Sequence, residues 1–242
     1  MVNADIEELI EKIKIDFKEL SEKAANALSD DEIKSLSAIQ IKQIADNIRS
    51  ALDYMAIDII QSTGITTNIK KIYFPYGKSL QKLESMNKWM IDLKNKNPSV
   101  YNAIIQYQDF SIAPNDKWII QLCNLSITVK HHKLERPQRV DQGRTTRLGG
   151  WLEVDDTSTV TIGEYNYQDK ENGLFKTVKN VSITPTTKTK DLKENFNGDT
   201  SQYSVSFNKV SFLTSSGDDV VQILDNSIKA LEAMYPLIYK NL

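Results

Sequence analysis

Leu122-Cys-Asn-Leu-Ser-Ile-Thr-Val-Lys-His-His-Lys-Leu134, followed at once by Glu135-Arg-Pro137, is where the chain changes character. Upstream of it apolar residues recur three and four apart, the spacing of a helix with one buried stripe. Downstream, apolar and polar residues alternate, with many Thr, Val and Tyr, which suits strands. The segment itself closes an apolar helix over Lys117–Lys133 and opens a basic stretch.

Working outward toward the N-terminus, residues 4–28 place Ile6, Leu9, Ile10, Ile13, Phe17, Leu20 and Ala24 on one stripe. Ser29-Asp30-Asp31 is an N-cap cluster for a second helix running to about Ser62. Its face is Ile41, Ile44, Ile48, Leu52, Met55 and Ile59, and Gly64 ends it. The pair predicts a long αα-hairpin. Ile72-Tyr-Phe-Pro-Tyr-Gly77 is an extended or turn segment held by Pro75. Helix signals resume over Ser79–Asn95, and Pro98 suits the first position of a short helix over 98–108.

Toward the C-terminus, strands are predicted over Arg144–Asp155, Ser158–Tyr167, Leu174–Thr184 and Gln202–Leu213. The polar piece Thr186–Thr200, with Asn197-Gly198, predicts a surface loop. A helix from about Asp218 to Tyr239 closes the chain. The expected class is α+β: a helical bundle over 1–135, a small antiparallel β-sheet in 136–217, and a C-terminal helix in 218–242.

Composition narrows the function. Thirty basic and 32 acidic residues give a net charge of −2, so no global field drives the chain onto nucleic acid or an anionic membrane. One cysteine, Cys123, excludes an internal disulfide and a multi-cysteine zinc site and fits a reducing, cytoplasmic setting. No secretory leader and no membrane-spanning apolar run is legible. No phosphate-loop glycine pattern, GxSxG or HExxH occurs.

His131 and His132 are the only histidines, and histidine is the side chain that titrates near neutral pH. On a helical wheel they join Gln121, Asn124 and Thr128 in a polar stripe on an otherwise apolar helix. Asp46, Arg49 and Asp53 share one edge of the second helix. If that edge packs against the stripe, Arg49, Asp53, Asn124 and His131 form an internal polar cluster. The strongest local charge bias is Lys130, Lys133, Arg136, Arg139, Arg144 and Arg147, opposed only by Glu135 and Asp141. Such a strip would suit phosphate, with Trp151, Tyr165 and Tyr167 just beyond it.

Arg49-Ser-Ala-Leu-Asp-Tyr-Met-Ala56, then Phe74-Pro75-Tyr76, then Leu122 to His132 resembles a family of bacterial proteins with three motifs. These read R-x-x-L-D-x-L-A, F-P-I and L-x-x-L-x-x-x-D-K-H-R, and the likeness covers about residues 45–135. That family is distantly similar to the all-helical HEPN group, some of whose members are metal-independent ribonucleases. The resemblance implies His131 or His132 as general acid or base, with Arg49 stabilising charge on phosphate. Val129 stands where the family has an acid, and His132 where it has arginine. The HEPN signature, an arginine and a histidine separated by four to six residues, needs arginine within 124–127, which holds Asn124, Leu125, Ser126 and Ile127. The expectation is therefore a non-catalytic binding or regulatory protein of a bacterium or prophage, without cofactor or metal. It would act on a protein partner or as a homodimer through its N-terminal helices, and not at a membrane. The alternatives are a degenerate HEPN-type ribonuclease and RNA binding through the strip 130–147.

Overall fold

The computed structural model describes residues 3–68, 72–131, 136–169 and 172–242, with the side chains of 127–131 also outside the description. The fold is α+β, helices first, then small antiparallel sheets and a closing helix. It divides into two compact units. One comprises 1–21, 37–137 and 214–242; the other comprises 22–36 and 138–213.

In the helical unit, α1 (Ala4–Asn26) buries Ile6, Ile13 and Leu20, one residue every two turns. Its part up to residue 21 runs antiparallel to α2 (Ala38–Thr63): Asn3 Nδ2 donates to Asp58 and Gln40 Nε2 to the Asp16 carbonyl. The hairpin is thus as expected, but α2 starts later than Ser29-Asp30-Asp31. Ser37 caps it, accepting from the Gln40 N–H, because Asp30 and Asp31 are used elsewhere. The single helix expected over 79–95 is two, α3 (Leu80–Met86) and α4 (Trp89–Lys96), since the Asn87 side chain takes the Leu83 carbonyl and ends the first. Then come α5 (Pro98–Ile105), capped by Asn97, α6 (Ile119–His131) and α8 (Val220–Tyr239), capped by Asp219.

A buried carboxylate sets where α6 begins. Asp109 accepts from the Trp118, Ile119 and Ile120 N–H groups at 2.9, 3.2 and 3.0 Å, three of the donors a helix start leaves unpaired. Asp109→Ala is expected to cost about 3 kcal/mol, because those amides lose a charged acceptor in a buried site. Urea unfolding followed by circular dichroism checks this, and a loss below about 1 kcal/mol would show the cap to be dispensable.

In the other unit β1 (Gln138–Leu148) lies between β2 (Leu152–Asp155) and β5 (Tyr203–Leu213), all antiparallel, and β3 (Val160–Gln168) pairs with β4 (Phe175–Ile183) separately. The strand expected over 144–155 is therefore a hairpin that starts six residues earlier and turns at Gly149-Gly150, both at positive φ. Thr186–Thr200 is not simply a loop. It contains α7 (Thr189–Asn195), whose Leu192 is completely buried, with Phe196 just after it completely buried too. Asn197 and Gly198 still make a turn, both left-handed, and that turn ends α7. Phe196 sits edge-on to Tyr165 and Tyr167 and stacks on Tyr203, each ring 5.8 Å away.

Candidate functional site

On α6 two polar faces point to different places. At about 100° per residue, the pair Cys123 and Ser126 faces largely away from the pair Gln121 and Asn124. The first pair meets α2: Arg49 Nη1 donates to Ser126 Oγ at 3.3 Å, and Ser126 Oγ donates to Asp46 Oδ1 at 2.8 Å. Farther along the same edge, Asp53 Oδ1 accepts from the Phe74 N–H at 2.8 Å. The residues shared with the motifs, Arg49, Asp53 and Phe74, thus fasten α2 to α6 and to the segment around Pro75.

Cys123 and Tyr76 lie near each other within this cluster. Burial pushes the Cys123 thiol up, against a smaller pull from Arg49, and burial likewise raises Tyr76. The thiol therefore stays protonated at neutral pH and is not poised as a nucleophile. Arg49 and Asp53 do belong together, but Asn124 is exposed on another face of α6 and does not join them. The side chains of Thr128, Lys130 and His131, and the whole of His132 and Lys133, lie outside the described residues.

Gln121 and Asn124 line a groove between α6, the turn at 214–219 and α8, all within the helical unit. One end is a pocket of about 60 Å³ floored by Ile41, Leu125, Val220 and Ile223. The middle is a cavity of about 400 Å³ whose lining includes Asn115, Asp116, Gln121, Asp218, Gln222 and Asn226. A third, of about 250 Å³, shares Asp116 and Asn226 with the middle and adds Ile112, Trp118 and Ala230.

The walls are braced. Gln121 Nε2 donates to Asp218 Oδ1 and Ser216 Oγ to Asp218 Oδ2, both at 2.8 Å. Asn226 Nδ2 donates to the carbonyls of Asn115 and Lys117, at 2.9 and 3.2 Å, while its Oδ1 accepts from Gln222. Asp218 and Asn226 were not among the sequence candidates. Asn226 lies on the face of α8 away from its apolar stripe and left no signal in the sequence, and Asp218 read only as a helix start.

The arginines of the basic strip serve different ends. Arg136 is exposed in the helical unit. Arg139, with a nearly buried side chain, donates to the carbonyls of Ala27, Asp30 and Ile33, pairs with Asp141 and lies over the Phe207 ring. Arg144 donates to the Pro185 carbonyl and lies 3.9 Å from Asp31, and burial lowers its pKa. Arg147 is exposed and paired with Glu153. Arg139 and Arg144 are thus engaged by carbonyls and carboxylates of their own unit, and only Arg147 of the strand's arginines is exposed, so the three do not form one phosphate-binding row.

Among the described residues no group of three or more His, Cys, Asp or Glu side chains is placed to hold a metal ion, and no helix is long and apolar enough to cross a membrane. Compared with known proteins, the chain matches no family model, no curated protein and no solved structure.

Proposed function

We propose that this is a non-catalytic binding or regulatory protein that holds a partner in the groove between α6 and α8. The braced Gln121–Asp218 bridge in that groove carries the proposal. A concave site with apolar ends and a few oriented polar groups is the usual form of a ligand site, and walls ordered before binding lower its entropic cost. Its polar groups are amides, hydroxyls and carboxylates, chemistry that recognises a ligand by hydrogen bonds.

A homodimer through the N-terminal helices has less support. The apolar stripe of α1 is used inside the unit, and its outer face carries the pairs Lys12–Asp16 and Lys14–Glu11. Ribonuclease action keeps one supporting observation, Arg49 half-buried at the start of the Asp46–Ser126 network.

Two measurements test the proposal. In amide-resolved NMR of the full chain, a mixture of short peptides and metabolites is expected to shift the side-chain amides of Gln121, Asn124 and Gln222. Labelled RNA incubated with the protein in EDTA is expected to remain intact. Cleavage that disappears in His131→Ala would overturn the proposal in favour of the nuclease.

A further inference from the structure

We infer that the occupant of the groove is an extended peptide segment of about five residues carrying a basic side chain. This rests on the binding proposal above and deepens it.

Length is the first argument. The α8 side of the groove is built by Asp219, Gln222, Asn226 and Ala230, steps of three and four that keep to one helix face. From Asp219 to Ala230 at about 1.5 Å per residue the groove runs about 16 Å. An extended chain rises about 3.3 Å per residue, so five residues match it.

Chemistry along the groove is the second. The middle presents the side-chain amides of Gln121 and Gln222, each of which has a second N–H and a carbonyl oxygen beyond the bond that braces the wall, for an extended backbone. Asn226 holds both its N–H groups on Asn115 and Lys117 and fixes the wall beside them. The apolar ends, Leu125 with Ile223 and Trp118 with Ile112, suit flanking side chains or the methylene stem of lysine or arginine.

Charge is the third. Asp116, Asp218 and Asp219 line the middle against Lys117. Lys229, farther along, is paired to Asp225 at 2.6 Å. Both oxygens of Asp218 accept from neutral groups, Gln121 and Ser216, so its charge is oriented but not cancelled by them. These carboxylates are not gathered tightly enough for a metal ion, which leaves a diffuse organic cation, an ammonium or guanidinium, as the fitting charge.

The test uses pentapeptide pools fixed at the central position as arginine, glutamine or glutamate, titrated into the full chain by NMR. The arginine pool is expected to bind about tenfold tighter than the glutamate pool, with shifts at Gln121, Gln222 and Asn226, and to weaken as salt rises. Asp218→Asn, which keeps an oxygen acceptor for Gln121, and separately the surface change Asp116→Asn, should each reduce that preference.

Equal binding of all three pools in the groove would overturn the cationic assignment and leave the binding proposal standing. Spermidine alone binding as tightly as the arginine pool would overturn the peptide assignment in favour of a small polyamine. No groove shift with any pool, with spermidine or with the metabolite mixture would overturn both.

Discussion

Arg139→Met is expected to destabilise the β-rich unit by about 4 kcal/mol, the cost typical of breaking a buried charged network from one side. The guanidinium gathers three carbonyls, those of Ala27, Asp30 and Ile33, and so holds the segment 22–36 to β1. Phe207 reinforces the same attachment, its N–H donating to the Leu28 carbonyl and its ring lying 4.8 Å beneath the guanidinium. Methionine keeps the stem and removes every donor, so three carbonyls and Asp141 lose a partner together. Lysine is a poor substitute, because one ammonium cannot reproduce the planar fork.

Hydrogen exchange gives the readout: amides in 22–36 and β5 should lose protection in Arg139→Met, while α2 and α6 retain theirs. Arg147, exposed on the same strand, is the control, and Arg147→Ala should leave the exchange pattern unchanged. A stable Arg139→Met protein that has lost salt-dependent RNA affinity would restore the basic strip as a nucleic-acid surface.

Phe196→Ala should cost a similar amount, about 4 kcal/mol, because it empties a completely buried site between three aromatic rings. Tyr167 is tied there as well, its hydroxyl donating to the Phe196 carbonyl at 3.3 Å. The rings come from β3, from β5 and from the turn after α7, so one truncation should loosen all three. Urea unfolding followed by tryptophan fluorescence suits the measurement, since Trp151 belongs to this unit and stacks on Tyr165. A change below about 1.5 kcal/mol would mean that the cluster collapses to fill the gap.

The helices were legible because their stripes are long and regular: Ile6, Ile13 and Leu20 in α1, and Ile44, Ile48, Met55 and Ile59 in α2, are all buried. Alternation likewise located β3, β4 and β5 to within a few residues. The 186–200 segment was misjudged because it is polar apart from Leu192 and Phe196, and two residues four apart are too few to register as a helical period. Those two apolar residues, rather than the polar ones around them, decide where the segment lies.

The start of α2 was misjudged for a different reason. Ser29-Asp30-Asp31 has the composition of an N-cap, but Asp31 accepts instead from the Thr189 N–H and lies beside Arg144, partners far away in sequence. Cap chemistry is local, and a long-range partner can claim the same oxygen.

The candidate site divides in the same way. Gln121 and Asn124 were legible as a polar stripe on α6, because polar residues on an apolar helix need a reason. That Gln121 meets Asp218 rather than Arg49 was not legible, since it depends on which face of α6 packs against α2. Arg139 falls in the sequence's phosphate-suited basic strip because sequence shows a side chain's charge but not the direction in which the strand points it. By itself, then, the sequence determined the order and type of the main elements and the α+β class, because periodicity is local. Tertiary structure alone decided which arginines are structural, which face of α6 lines a groove, and that 22–36 belongs with the strands, because each depends on partners brought together only by packing.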